Sequence, residues 1–173
     1  GAFGLTEPSG GSDAANCRTR AVRAGDNYRV TGSKAFNTNG PVAEIFVITA
    51  RTSDAAGSRG VSAFIVERGT PGFTVGKADR KHGVHGSPTA TLYFDEAPVP
   101  AANLIGREGE GFRQFAHTLD RGRINVAALA LGLGQAALEA AVAYARQREQ
   151  FGQKIAAFQG VQFPIAEAAT EIE

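Results

Sequence analysis

Ten residues near the start of the sequence, GLTEPSGGSD from Gly4 to Asp13, bring together a hydroxyl, a carboxylate, a rigid proline and a Gly-Gly-Ser-Asp turn. Gly10 and Gly11 remove side chains where backbone has to approach a bound group, and Thr6, Ser9 and Ser12 offer short hydroxyl donors to oxygens or ring nitrogens. The string suits a ligand loop; it also suits a plain surface turn between strands. A second segment, KAFNTNG from Lys34 to Gly40, sets Phe36 and Thr38 two apart, hence on the same side of an extended strand. A flat apolar face beside one hydroxyl fits a conjugated heterocycle, which needs a platform and a donor at a ring nitrogen, although ordinary strand packing uses the same residues. Arg146 and Arg148 close an apolar helical stretch, where a cation caps the carbonyl end of the helix dipole or meets an anion. His82, His85 and His117 have no metal-ligand spacing, so no metal is expected. Cys17, the only cysteine, reads as a small buried apolar residue.

The elements that must position these groups change character along the chain. From Arg18 to Asp95 the pattern is short and extended: RAVRAGDNYRV turns at Gly25 and Asp26, and IFVITART and VSAFIVER are β-branched apolar runs. The segment from Thr52 to Gly60 is polar and small, an exposed hairpin tip, and Pro98 and Pro100 are expected to end the pairing of TATLYFDEAPVP. About six or seven strands result, enough for a small barrel or sandwich. After Asn103 the period becomes helical. Ile124, Ala127, Ala128, Leu131, Gln135, Leu138, Val142 and Ala145 form one stripe of a helix that should run to about Arg148 with that stripe buried. Ile165, Ala169 and Ile172 share a further helical face that needs a cover. The fold class is therefore α+β by segments, with residues 1–105 β and 106–173 helical, and a ligand crevice is expected between the layers.

A chain of 173 residues can bury a core as one domain or two small ones. Its net charge is +1, with 18 basic and 17 acidic residues, so no broad field favours nucleic acid or an anionic membrane. No apolar run approaches the roughly 20 residues of a bilayer span, and no secretory signal is present, so membrane insertion is not expected. The absence of methionine and an opening directly in a ligand-type loop read as a fragment of something longer.

Five blocks occur in order: GLTEPSGGSD, GSKAFNTNG from Gly32, KHGVHGSPT from Lys81, VPAANLIGREGEGF from Val99 and YARQREQFGQKIAAFQ from Tyr144. Their order and spacing resemble the acyl-CoA dehydrogenase family over essentially all of the chain. The first block departs from the family signature only at Asn16, where a Gly, Ser or Ala is usual.

The resemblance implies a middle domain that is a small antiparallel β-barrel (1–105), followed by the truncated beginning of a C-terminal four-helix bundle (106–173), with FAD held between them. It implies that Phe3, Leu5 and Thr6 line the flavin, with Thr6 donating near N1 and O2. Phe36 takes the place where relatives often carry Trp, and Asn37 and Thr38 accompany it, Thr38 donating at N5. Arg148, Gln150, Phe151, Phe158 and Gln159 match a cluster that reaches the adenine and pyrophosphate of an FAD held mainly by a neighbouring subunit. Ser12 matches a position near the flavin and the acyl-CoA pantetheine, and Asp120, Arg121 and Arg123 match positions along the CoA arm. His85 stands where many relatives have Arg.

The implied reaction is α,β-dehydrogenation of an acyl-CoA thioester to the trans-2-enoyl-CoA: a carboxylate removes the α proton and the β hydrogen leaves as hydride to flavin. Of the two positions relatives use for that base, one is Gly122 here, so the base is expected beyond Glu173 and no catalytic residue within the sequence. Implied partners are an electron-transfer flavoprotein and further copies of the chain, as a dimer of dimers, in bacterial cytoplasm or the mitochondrial matrix. Two alternatives stay open: an oxidase or monooxygenase of the same fold, and a non-catalytic module that binds a partner through its helical face.

Overall fold

Gly25, at φ 61°, closes the first hairpin between β2 (Arg20–Ala24) and β3 (Asn27–Thr38), where a glycine reaches the left-handed conformation without steric cost. The computed structural model describes all residues, Gly1–Glu173. Besides this hairpin it contains β1 (Ala2–Gly4), β4 (Ile45–Arg51), β5 (Val61–Glu67), β6 (Phe73–Val75), β7 (Thr89–Pro100) and β8 (Leu104–Ile105). These eight strands form one sheet in the order β6-β7-β3-β2-β4-β5-β8, with β1 on β4.

The pairing differs from an antiparallel barrel in two respects. β1 runs parallel to β4, with Phe3 opposite Val47, and β2 joins β4 in parallel at Arg20 and Arg51. The strand path is also open, running from β6 to β8. The sheet nevertheless curls, because Phe46 on β4 meets Phe73 on β6 edge to face at 4.8 Å although three strands separate them. Tyr28, Phe46, Ile48, Phe64, Leu92 and Phe94 fill the concave side. Pro98 and Pro100 do not end the pairing; they lie opposite Arg29 and Asn27 within β7. Beyond Phe94 the other edge of β7 has no partner in β6, so the missing N–H groups break no ladder. The Thr52–Gly60 tip carries a 3₁₀ turn, Gly57–Gly60.

The helical region contains α1 (Gly111–Gln147), the two-residue strands β9 (Glu149–Gln150) and β10 (Gln153–Lys154), and α2 (Gln159–Ile172). Compact units divide inside α1, at Gly1–His117 and Thr118–Glu173. Phe115 explains why the first turns of α1 belong with the sheet: it is buried and packs edge to face on Phe3 at 5.7 Å. The expected burial of the α1 stripe does not hold. Ala145 is buried, Leu138 and Val142 are half-buried, and Ile124, Leu131 and most of their neighbours are exposed, because α2 is short. The expectation that no segment could span a bilayer also needs correction: by length and composition α1 is long and apolar enough to cross a membrane. Its apolarity is spread over alanines and glycines around Gln135 and Glu139, so it does not read as an unbroken run.

Candidate functional site

The loop after β1 folds on itself through paired backbone bonds between Glu7 and Gly10, at 3.1 and 3.0 Å. Glu7 turns inward and gathers the chain around it. Its carboxylate accepts from the backbone N–H of Arg18 at 2.7 Å and of Thr19 at 3.0 Å, and from the Cys17 thiol at 3.2 Å. The Lys34 ammonium lies 2.7 Å from the same carboxylate, with both side chains buried. Burial alone would raise the Glu7 pKa; the Lys34 charge and the hydrogen bonds from Lys34 and Thr19 outweigh it and hold it at about 2. Burial pushes the Cys17 thiol up, so it stays protonated, as a small buried residue should.

β1 and the loop lie against β3. Ala35 donates its N–H to the Thr6 carbonyl at 2.8 Å. At Gly4 the approach is so close that a Cβ would stand 2.8 Å from Asn37 Oδ1 and 3.0 Å from the Lys34 side chain, so only glycine fits between Phe3 and Leu5. Gly10 and Gly11 differ: a Cβ there would meet nothing nearer than 3.8 and 3.7 Å, so the chain itself does not require them to be glycine.

β3 is bulged between Lys34 and Asn37, and Phe36 occupies the left-handed region at φ 57°. For an aromatic residue this costs on the order of 1–3 kcal/mol and turns the ring to solvent, 73% exposed. Thr38 is exposed as well, and Asn37 between them is buried. Asn37 donates its amide to the Lys34 carbonyl at 2.8 Å and the Ala90 carbonyl at 2.9 Å, bracing the bulge from within. Phe3, Leu5, Thr6, Phe36 and Thr38 are thus gathered where β1 meets the bulged end of β3. Ser12 is exposed further along the loop.

In the helical unit, Asp120 and Arg123 pair along α1 at 2.9 Å, and both are exposed, as is Arg121 beside them. A Cβ at Gly122 would meet nothing within 4 Å. Arg148 lies just past the last residue of α1 and opens a small hairpin, its carbonyl accepting from Ile155 N at 2.9 Å. Phe151 turns this hairpin at φ 52°, is 92% exposed, and meets Phe158 edge to face at 6.1 Å. Gln150 and Gln159 are exposed on either side, and Glu149 is taken by Lys154 at 2.6 Å, leaving Arg148 free as an anion donor.

Sequence reasoning missed the buried Glu7–Lys34 cluster. A lysine inside a strand pattern usually reads as solvated, and the only clue was the density of hydrogen-bonding residues around Glu7.

Two domain families match. Acyl-CoA dehydrogenase, middle domain, covers residues 2–97, and Acyl-CoA dehydrogenase, C-terminal domain, covers residues 109–173. The chain belongs to the acyl-CoA dehydrogenase family. It is 54% identical over its full length to an acyl-CoA dehydrogenase of Bacillus subtilis (strain 168), of which it covers 46%. Butyryl-CoA dehydrogenase from Megasphaera elsdenii superposes with a TM-score of 0.93 at 48% identity, over 99% of this chain and 45% of that one. A chain from a structure of the electron transferring flavoprotein of Acidaminococcus fermentans gives a TM-score of 0.94 at 53% identity, again over 99% and 45%. The chain therefore spans just under half the length of these relatives. Members of the family are FAD-dependent.

Proposed function

We propose that these residues are the flavin- and thioester-binding part of a longer FAD-dependent acyl-CoA dehydrogenase, with 1–105 as its middle domain and 106–173 as the start of its helical domain. The observation that carries this reading is the surface where β1 meets β3, at which a strained backbone displays an aromatic ring near the exposed Thr38 and the half-buried Thr6. The donor set fits a flavin: an apolar platform with hydroxyl donors and no competing carboxylate among Phe3, Leu5, Thr6, Phe36 and Thr38.

When bound, FAD supplies the acceptor for a hydride. Phe36 and Phe3 give apolar faces for an isoalloxazine ring. Thr6 and Thr38 present hydroxyls to polar ring atoms, and a fixed donor where negative charge accumulates favours the reduced state. Asn37 acts from beneath, holding the bulge that aims Phe36. Ser12, Asp120, Arg121 and Arg123 are assigned to the thioester and CoA arm. Arg148, Gln150, Phe151, Phe158 and Gln159 form a second surface, for the adenine and pyrophosphate of a cofactor bound mainly to another subunit, which makes a homo-oligomer part of the proposal. The α proton of the acyl-CoA passes to a carboxylate as the β hydrogen leaves with its electron pair. With glycine at 122, that carboxylate is assigned to the enzyme outside these residues.

The exposed apolar faces of α1 and α2 are read as packing faces of the bundle. The likeness to a chain in an electron transferring flavoprotein structure supports such a flavoprotein as electron acceptor. The bacterial relatives favour a cytoplasmic setting. The test is to incubate the purified full-length enzyme with butyryl-CoA and an artificial electron acceptor. A CoA product lighter by two hydrogens, together with FAD released on denaturation, supports the proposal; unchanged thioester across a series of chain lengths refutes it.

A further inference from the structure

Lys34 is the only fully buried lysine, and it touches three separate stretches of chain, at Leu5 and Glu7, at Cys17 and at Thr49. Its ammonium lies 2.7 Å from Glu7 Oε1, 3.0 Å from Thr49 Oγ1 on β4, and 3.4 Å from the Leu5 carbonyl. The Lys34 side chain is fully buried and that of Glu7 is only 5% exposed, so the pair faces the core and not a ligand. We infer that the Lys34–Glu7 pair is the positioning device of the proposed flavin surface, locking the loop that carries Thr6 and Ser12 to the bulged end of β3 that carries Phe36 and Thr38. This rests on the flavin reading given above.

Three observations support it. The residue after Lys34 donates its N–H to the Thr6 carbonyl, so the lysine side chain and its neighbouring backbone grip consecutive residues of the loop, Leu5, Thr6 and Glu7. The carboxylate then closes the far end of the same loop through the Arg18 and Thr19 N–H groups and the Cys17 thiol. Finally, a buried ion pair is a poor choice for stability alone, since apolar residues of similar volume generally do as well or better. What the pair adds is a single permitted register: a shift of the loop along β3 would strand both charges in the core.

The test uses the full-length holoenzyme and the variants Lys34→Met, Glu7→Gln and the double Glu7→Gln/Lys34→Met, with Thr49→Val as a gentler change that keeps both charges. FAD dissociation constants, the visible flavin spectrum, melting temperature and amide exchange over residues 5–19 are measured. In the double variant, which leaves no stranded charge, the inference expects a melting temperature close to that of the parent. It also expects a ten-fold or larger rise in the FAD dissociation constant, a shifted flavin band and faster exchange in the loop. Thr49→Val should give a smaller rise, about two- to five-fold, with a melting temperature lowered by a few degrees at most, since the Lys34 ammonium keeps Glu7 and the Leu5 carbonyl as partners. Normal FAD affinity and normal loop exchange in the folded double variant would overturn the inference, and so would an unaffected Thr49→Val protein should the double variant fail to fold. A parent enzyme that holds no flavin would instead refute the functional reading, and loop exchange would still decide whether the pair fixes the loop.

Discussion

Phe36 and Phe151 share an unusual local structure and differ in everything around it. Both are in the left-handed region, at φ 57° and 52°, and both show most of the ring to solvent. Beneath Phe36 lie a braced bulge, the buried Asn37 amide and the Lys34–Glu7 pair. Beneath Phe151 lie two strands of two residues each, an edge contact with Phe158, and an ion pair between the exposed Glu149 and Lys154. The first surface has its scaffold within the chain. The second has no such scaffold within the chain, in keeping with the proposal that another subunit completes it. Preorganisation follows burial here: a charge that cannot reach water fixes geometry, while one that can contributes little to it.

The contrast is open to attack, most forcefully at Lys34. Lys34→Met leaves Glu7 buried and unpaired and should cost about 3–5 kcal/mol in urea unfolding of the full-length enzyme; a loss under about 1 kcal/mol would reduce the pair to the rank of a surface bridge. Acid should expose the same difference. The Glu7 pKa is lowered from 4.5 to about 2 in the folded chain, so its contribution is present above pH 4.5 and is lost as pH falls from there towards 2. Melting curves across that window should show a steep decline that Glu7→Gln flattens.

Gly4→Ala pushes a methyl group against Asn37 Oδ1 and the Lys34 side chain, and a loss of about 1–3 kcal/mol is expected, visible as a lower urea midpoint. On the other surface, Phe151→Gly relieves left-handed strain and should raise stability by up to about 1 kcal/mol by the same assay, while weakening FAD retention. Smallest of all in stability is Arg148→Gln, within about 0.5 kcal/mol of the parent. Its FAD affinity should nevertheless fall several-fold and depend on salt, as measured by fluorescence titration. If Arg148→Gln unfolds the protein as readily as Lys34→Met does, the two surfaces are not built differently.

How much was legible from sequence follows the same division. Local signals read well: Gly25-Asp26 gave its hairpin, the β-branched runs gave β4 and β5, and the change to a helical period after Asn103 gave α1 with an end one residue from its expected place. Long-range features did not. The parallel seat of β1 on β4, the curl that brings Phe46 to Phe73 and the open end of β7 that tolerates Pro98 depend on which strands meet, and periodicity is silent on that. At the site, Phe36 and Thr38 are both exposed, although Phe36, at φ 57° in a bulge, is not on the extended backbone that their spacing assumes. Asn37 is expected among the cofactor-binding residues, yet its side chain is buried, where its amide bonds the Lys34 and Ala90 carbonyls. Lys34 was invisible as a core residue because its partner lies 27 positions away. The α1 stripe was read correctly as apolar and wrongly as covered, since cover is a property of what packs on a helix and not of the helix itself.

The reading of the β1–β3 surface as a flavin site for acyl-CoA chemistry is tested most directly by anaerobic titration of the full-length enzyme with butyryl-CoA, followed by visible absorption. The account predicts a yellow protein whose oxidised flavin band bleaches as thioester is added, with Lys34→Met bleaching poorly or arriving without its colour. A colourless parent, or a yellow one that no acyl-CoA bleaches, would contradict it.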